Sequence, residues 1–554
     1  MNTNIVLMKE WHGWKKQCYD GVNIWFKGYL INSSVDQIYI KIHKYIDRPV
    51  QYPELSEWIN TLNGHFALVI ETKKWIFASV DKIRSIPLFY AKYESGVLIS
   101  NHAPELINKT KKNKEDINLT AATEIMMSGF TEGRITLYKD IFQITAGEFL
   151  LVHKDYSYRR IRYYRYSPWN IVSKSTSNLE SELSEILIRT ITNMAESVNG
   201  RQIVIPLSAG NDSRFIASAL KHIGYDNVHC FSYGSSDNYE MNIAKQVANK
   251  LNYSWEPIVV SIKTQKKLFA SGEFYQYLNF SDTLSSSPVL IDFNAIKQLS
   301  RKNHIAKNAV FVNGNAGDFI TGGHISRHNS ERATKHAIAK EYIKNHYSLW
   351  DCRKSCNDIN LIESRVNAID SLMDEFNVGT ELLWAIGESM EWLGRQSKFV
   401  TTTQRSYEFF GYDWRLPLWD PILMDFWEGV PLHYKLDQNL YHSTLKKNNW
   451  GGVWSEFPVN KYKINSFHLN MFRTIVKASL CFTGKKLWHK IDKRVFSYFY
   501  DTSVAVAYVP YLDVLFDQCG ARNRNSWISR KYLHRHGFDM LDMRHSGQKV
   551  DYNQ

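Results

Sequence analysis

The residues whose types and spacing most plainly serve chemistry are Ser208-Ala209-Gly210-Asn211-Asp212-Ser213-Arg214. They follow the apolar run Ile203-Val204-Ile205-Pro206-Leu207, and a helical pattern begins at once. This predicts a strand, a tight turn and a helix N-terminus. Such a turn presents backbone N–H groups and two hydroxyls to an anion at the positive end of a helix. The chemistry implied is the holding of nucleotide phosphates. The segment is not a Walker loop, for it lacks the Gly-x-x-x-x-Gly-Lys spacing and a lysine for the terminal phosphates. On its residues alone it can equally be an ordinary strand-to-helix turn.

The surrounding elements must place that turn. A chain of 554 residues is expected to divide into two to four domains. Up to about Tyr166 the sequence reads as β-rich with short helices. Strands are predicted over Asn23–Leu30, Phe66–Glu71, Trp75–Val80, Pro87–Lys92, Val97–Ser100 and Glu148–His153. The polar run Lys109 to Glu115 reads as a loop, and Ser173 to Asn178 as a linker. A helix is predicted from Leu179 to Val198, with Leu183, Ile186, Leu187, Ile191 and Met194 at helical spacing. From Gln202 strands and helices alternate: helix Ser213 to Gly224, strand Val228–Tyr233, helix Glu240–Leu251, strand Pro257–Val260. That alternation argues for a parallel α/β sheet. Beyond about residue 327 the pattern is mostly helical.

Composition narrows the class. Apolar residues make up 44% and charged residues 22%, as in a globular protein. No run approaches the length of a membrane-crossing helix, and the first ten residues lack the features of a signal peptide. The six cysteines (Cys18, Cys230, Cys352, Cys356, Cys481 and Cys519) are scattered and suit a reducing cytoplasm. Cys352 and Cys356 have no partners at zinc spacing. The net charge, 68 − 55 = +13, suits nucleic acid, a membrane surface or anionic substrates without choosing among them.

The turn at 208–213 resembles the Ser-Gly-Gly-x-Asp-Ser pyrophosphate loop of the ATP pyrophosphatases, most closely that of asparagine synthetases and their relatives. Ser208, Gly210, Asp212 and Ser213 match, with Asn211 at the variable place. Ala209 replaces a glycine, a change tolerated where φ is not positive. Further segments follow in the family's order. Phe231-Ser232-Tyr233-Gly234, then Asp237 and Glu240, resembles its second strand and turn. Val310 to Gly323 resembles its Gly-Glu-Gly-x-Asp-Glu-x-x-Gly-Gly loop, with Gly314 first and Asp318 at the second magnesium-binding acid. Tyr407-Glu408 to Arg415-Leu416-Pro417-Leu418-Trp419-Asp420 resembles the Glu-x-Arg-x-Pro-x-x-Asp segment, with an added spacer. In the first part, Leu62 to Ala67, Asp81 to Tyr90 and Gly129 to Gly147 resemble the family's glutaminase half.

The resemblance implies an Ntn-hydrolase-like α+β sandwich at residues 1–168. A PP-loop α/β domain with a parallel sheet follows at 179–455, ending in a helical part, and a basic, mainly helical extension occupies 456–554. It implies ATP and Mg²⁺ as cofactors, bound between the C-terminal ends of the first two parallel strands. Leu207 and Tyr233 would flank adenine. Ser208, Ala209, Gly210, Asn211, Ser213 and Gly314 would surround the phosphates, and Asp212 and Asp318 would hold the metal. Arg214 would clamp a phosphate or an acyl-adenylate; it reads equally as a helix-surface arginine. The implied reaction is adenylation of a small-molecule carboxylate, releasing pyrophosphate, then attack by an amine or ammonia.

Several positions depart from the family. Glutaminases of this type use an N-terminal cysteine whose own amine is the base. Asn2 stands there, and Cys18 reads as a small core residue. The glutaminase half is therefore expected to be inactive. Asn315 replaces a glutamate, Phe319 a second acid, and His442-Ser443-Thr444-Leu445-Lys446 the Lys-x-x-Leu-Arg helix, so His442, Lys446 or Lys447 would take the lysine's role. These departures put aspartate in doubt as the substrate. A Ser-x-Gly-x-Asp-Ser-Arg loop on a glutaminase-dead chain resembles family members that serve surface polysaccharide or natural-product pathways, which implies a carboxylate on a sugar or similar metabolite. Two rivals are a catalytically silent nucleotide-binding partner protein and a tRNA-modifying ATP pyrophosphatase; no nucleic acid partner is expected.

Met471 to Tyr500 carries Arg473, Lys477, Lys485, Lys486, Lys490, Lys493 and Arg494 against one acid, Asp492, with aromatic and aliphatic residues between. It reads either as a peripheral membrane-contact stretch or as a core helix with a solvated basic face. Arg522 to Arg535 is a second basic stretch that suits an anionic glycan or nucleotide-sugar.

Overall fold

The computed structural model describes residues 4–31, 33–46, 51–94, 96–236, 238–302, 304–326, 333–351, 359–458, 467–480, 484–500 and 508–539. Asn2, Asp237, Cys352, Cys356 and Cys481 lie outside the described residues. The N-terminal strands are β1 (Ile5–Leu7), β2 (Lys15–Tyr19), β3 (Val22–Ile31), β4 (Asn63–Glu71), β5 (Trp75–Val80), β6 (Phe89–Tyr93), β7 (Gly96–Ser100), β8 (Ile141–Gln143), β9 (Glu148–His153) and β10 (Tyr158–Arg162). They form a six-stranded antiparallel sheet, β10-β9-β5-β4-β3-β2, and a four-stranded sheet, β1-β7-β6-β8.

The side-chain alternation of β4 shows how these sheets stack. Phe66, Leu68 and Ile70 pack beneath Ile38, Ile42, Leu55 and Ile59 of helices Val35–His43 and Tyr52–Asn60. Ala67 and Val69 share the opposite core with Tyr90, Val97 and Ile99 of the second sheet. The far face of that sheet, Phe89, Ala91 and Leu98, is covered by Leu106, Ala122 and Ile125 from helices Ala103–Thr110 and Leu119–Ser128. The result is the expected sandwich, with helices outside two facing sheets. Two local readings need correction. Lys109 and Thr110 are helical, because buried Ala103 and Leu106 anchor a helix that runs to a left-handed Lys111. Cys18 is exposed on edge strand β2, where its thiol donates to Asn23, so it is no core residue.

A second sheet system follows helix Thr176–Val198. Its strands are β11 (Ile203–Pro206), β12 (Val228–Gly234), β13 (Ser254–Val259), β14 (Val310–Val312) and β15 (Asp413–Arg415). All pair in parallel, in the order β13-β12-β11-β14-β15. The chain thus winds outward from β11 in one direction and then the other. A crevice opens at the carboxyl ends where the winding reverses, between β11 and β14. That differs from the expected position between the first two strands, although the end of β12 still contributes.

Buried charge joins the two halves. Lys27 of β3 meets Glu408 at 2.8 Å, Arg405 pairs with the same carboxylate, and the Trp414 indole N–H donates to it at 3.0 Å. Burial pushes Glu408 upward, but Arg405 and Lys27 outweigh it and hold the carboxyl at about 2. Burial lowers Lys27 to about 8 against the opposing pull of Glu408. Arg84, fully buried with φ 54°, donates to the Ile144 carbonyl at 3.1 Å and reaches across to the Ser397 carbonyl at 3.3 Å. The Tyr164 hydroxyl and the Ser167 N–H both donate to Glu428, at 2.8 and 2.9 Å.

The C-terminal region also locks onto both halves. Helix Arg524–Arg535 lies on helix Leu119–Ser128. Fully buried Asp282 accepts from Tyr532 at 2.9 Å, Arg535 at 2.8 Å and His536 at 3.0 Å. Arg522 donates to the Asn345 carbonyl at 3.0 Å. Two arginines at the ends of this basic stretch are therefore committed internally. No described helix is long and apolar enough to cross a membrane.

Glu408→Ala would strand Lys27 and Arg405 in the interior. We expect a loss of about 3–5 kcal/mol, read as a lower denaturant midpoint and faster proteolysis at the seam between the halves.

Candidate functional site

The turn after β11 is built by its own hydroxyls. Ser213 Oγ accepts from the Ser208 N–H at 3.0 Å, and Ser208 Oγ accepts from the Gly210 N–H at 3.1 Å. Helix Asn211–His222 starts directly, with Asp212 in its first turn. Ala209 is buried and lies outside the left-handed region, so its methyl is accommodated as expected.

The loop after β14 closes over this turn. A Cβ on Gly314 would lie 2.5 Å from that of Asp212, and one on Gly317 would overlap the Asp212 carboxyl. Only glycine permits so close an approach at these two positions. Ala316 turns the chain with φ 75°, an unusual angle for a residue with a side chain, and initiates the short helix Gly317–Ile320. That helix brings the Asp318 backbone N–H to the Asp212 carboxyl. Burial, reinforced by the charge of Asp318, pushes Asp212 up to about 8.

Asp318 itself is 62% exposed at its side chain and faces the crevice. His324 Nε2 lies 3.1 Å from it, and His324 Nδ1 lies 2.6 Å from Glu391. Burial alone would lower His324, but Glu391 and Asp318 outweigh it and raise the imidazole to about 10. A charged histidine between two carboxylates fixes the direction of Asp318, as a partner behind a metal ligand does.

These loops border a cavity of about 500 Å³. Ser208, Gly210, Asn211, Asp212, Ser213, Tyr233, Gly314, Asn315 and Asp318 all line it. Tyr233 donates its hydroxyl to Asp292 at 2.5 Å, and Tyr407 donates to the other oxygen of Asp292 at 2.9 Å. The opposite wall includes Arg395, Gln396, Val400 and Thr403. Arg395 and Gln396 lie in the π-helical turn Trp392–Gln396, a local widening that re-aims side chains. Arg395 is the one cationic side chain among the residues lining the cavity. The amide nitrogen of Asn315 is buried there without a hydrogen-bond partner.

The family model for asparagine synthase matches residues 194–448, and that for a glutamine amidotransferase domain matches residues 52–164. Together the two matches support an asparagine synthetase-like family with an N-terminal glutamine amidotransferase domain. No curated protein sequence matches it. Among solved structures it is similar to the glutamine phosphoribosylpyrophosphate amidotransferase from B. subtilis, complexed with ADP and GMP. Identity is 11%, coverage 54% of this chain and 63% of that one, and the TM-score 0.18. An allosteric regulatory enzyme of purine biosynthesis is similar at 10% identity, covering 53% and 55% of the two chains, with a TM-score of 0.18. The chain thus spans less than two thirds of either structure, and at these scores the likeness adds nothing to the fold.

The asparagine synthetase-like loops fit a magnesium nucleotide. Magnesium takes one or two carboxylates and completes its shell with phosphate oxygens and water. Asp212 and Asp318 supply that pair, and the described residues contain no larger cluster that would hold a metal by itself.

Other expected site residues are not in the cavity. Leu207 is buried in the core, with its N–H and carbonyl bonded to Phe231 and Ser232, and Pro206 lines the cavity instead. Arg214 does not line the cavity and is no surface residue. Fully buried, it donates to the carbonyls of Ala209 at 3.0 Å, Phe457 at 2.9 Å and Pro458 at 2.9 Å, beside the Trp454 ring. Its aliphatic stem and guanidinium fasten the loop to a downstream strap. Lys446 is exposed and does not line the cavity. His442 stands one step back, 2.8 Å from the Asn211 amide; burial holds its imidazole below the ordinary value, which suits a neutral acceptor. Phe319 packs in the core against Trp419. Glu240 is exposed on helix Tyr239–Lys250, outside the cavity lining.

Asp292, Arg395, Gln396 and the His324–Glu391 pair were missed. An acid ending the apolar run Pro288-Val289-Leu290-Ile291 was a usable signal for Asp292. Nothing local marked Arg395, which comes from a helix remote in sequence. The Tyr407–Asp420 segment supports rather than lines the site: Arg415 donates to Ser197 and stacks 3.9 Å over the Tyr29 ring, and Asp420 caps helix Pro421–Glu428.

Arg214→Ala would free three carbonyls and the strap at 457–458. We expect a stability loss of about 2–3 kcal/mol and new proteolytic cleavage near residue 457, neither restored by Arg214→Lys, whose single ammonium lacks the planar fork.

Proposed function

We propose that this chain is an ATP-dependent amide-forming ligase of the asparagine synthetase type that does not generate its own ammonia. The observation carrying this reading is the meeting of Asp212 and Asp318 beneath glycines that only close packing requires, beside a hydroxyl-braced phosphate turn. ATP would lie with its base toward Tyr233 and Asp292 and its phosphates over Ser208–Ser213. Mg²⁺ held by Asp212 and Asp318 would neutralise charge on the phosphates.

An oxygen of the substrate carboxylate attacks the α-phosphorus, and the bond from that phosphorus to the bridging oxygen of pyrophosphate breaks. An amine nitrogen then attacks the acyl carbon; the C–O bond to AMP breaks and the nitrogen gives up a proton. Arg395, which lines the cavity and whose charge is felt at Asp318, would lie near the departing pyrophosphate. In our reading it supplies the positive charge that neither exposed Lys446 nor neutral His442 offers. Such preorganised charge stabilises the leaving group without reorganisation. Asn315 offers a free N–H to an acceptor oxygen at the place where the family has a carboxylate, which favours a substrate other than aspartate. A carboxylate on a sugar or natural-product precursor, as in surface polysaccharide pathways, fits that change.

The N-terminal domain serves in this reading as a structural partner. Cys18 is its one cysteine, and it sits inside strand β2, where it has no free amine to act as base. The buried seam around Lys27, Arg84 and Glu408 supports that structural role.

Substrate-dependent exchange of labelled pyrophosphate into ATP is the test. Exchange should appear with a carboxylate substrate and fall about a hundredfold or more in Asp212→Ala, Asp318→Ala and Arg395→Ala. ATP binding with no exchange across a broad carboxylate panel would instead support the silent nucleotide-binding partner.

The pure protein incubated with glutamine should release no ammonia above background. Release that survives mutation of Asp212 would overturn the structural role given to the N-terminal domain.

A further inference from the structure

Residues 467–480 and 484–500 differ from the rest of the described surface. Helix Phe467–Ser479 has no buried residue among those described, and it packs against the helical segment Lys485–Phe496. The two are held by polar and aromatic contacts on one side. Arg473 makes a two-point bond to Asp492, at 2.6 and 2.9 Å, and stacks 5.3 Å over Trp488. Phe496 packs against Phe472 and Trp488.

That arrangement leaves an apolar face outward. Met471 is 50% exposed, Phe472 57% and Ile475 54%, with Met471 and Ile475 one helical turn apart. Leu487 and Phe499 are exposed nearby in the chain. Half of the described large apolar side chains that stand exposed fall between residues 471 and 516. Exposed cations accompany them, including Lys477, Lys485 and Lys490. Asp492 is the one acid between 471 and 500, and Arg473 already occupies it.

We propose that this helical pair docks the protein on the anionic surface of a lipid bilayer, with Met471, Phe472 and Ile475 entering the headgroup boundary. Apolar insertion flanked by lysines is the pattern of helices that lie in a membrane interface. The net positive charge requires an anionic surface. It also disfavours a second copy of the chain, since pairing these faces would bring the lysines of both copies together. Such docking would hold the ligase beside substrates carried on lipid, but it is independent of the catalytic reading.

The test is co-sedimentation of the full chain with vesicles of phosphatidylcholine alone or mixed with phosphatidylglycerol. Binding is expected to the mixed vesicles only and to weaken as salt rises. The triple variant Met471→Glu/Phe472→Glu/Ile475→Glu should lose about tenfold or more in binding. Lys485→Glu/Lys490→Glu should lose a similar amount, with melting midpoint and ATP binding unchanged in both. Absence of vesicle binding, or equal binding to both vesicle types, would overturn the proposal. So would a concentration-dependent dimer abolished by the triple variant, or RNA binding without vesicle binding.

Discussion

The site depends on the closeness of two loops around one carboxyl. Asp212 lies at the start of a helix, and the loop after β14 presses on it through Gly314 and Gly317. Nothing larger fits, so the second loop must come down where Asp318 can share the same crevice. The electrostatic cost is visible in Asp212, which burial and the neighbouring acid raise to about 8. Two carboxylates in one low-dielectric place are costly unless a cation joins them. The packing thus leaves negative charge in the crevice that a cation would relieve.

Around that contact the protein arranges charge in layers. Behind Asp318 stand His324 and Glu391, which fix its direction from the far side. Arg395 reaches the crevice because its helix widens at Trp392–Gln396, and Glu391 on the same helix ties the two features together. At the other end, Asp292 takes two tyrosine hydroxyls. One end of the cavity is therefore ionic and the other aromatic, a polarity that suits a nucleotide laid along it.

The sandwich and the parallel-sheet half are joined through fully buried polar groups rather than a dry apolar interface. Lys27 and Glu408, and Arg84 with the Ser397 carbonyl, each need the partner half to be satisfied. Separation would expose unpaired charges, so the halves hold one geometry. The same elements that seal the seam, residues 405–415, also carry Tyr407 beneath the cavity. Integrity of the seam and shape of the site are linked through this short stretch.

The strand–turn–helix at 203–222, the strand alternation and the two acids that border the crevice were legible in the sequence, because each rests on local rules: period-two burial, turn chemistry and short motifs. The end of the helix Ala103–Thr110, at Lys109 and Thr110, was misread because the buried apolar residues Ala103 and Leu106 carry the helix into a polar run. Arg214, Lys446 and Leu207 do not line the cavity for a different reason: nearness in sequence does not fix the direction in which a side chain points. Arg214 follows the loop by one residue yet faces away, since a helix turns successive side chains by roughly 100°. Arg395, Asp292, His324 and Glu391 enter the site from elements far apart in the chain, and their convergence is decided by packing across the crevice. The sequence by itself determined which turn could grip phosphates. The tertiary structure decided which distant charges face it, because only long-range packing chooses those neighbours.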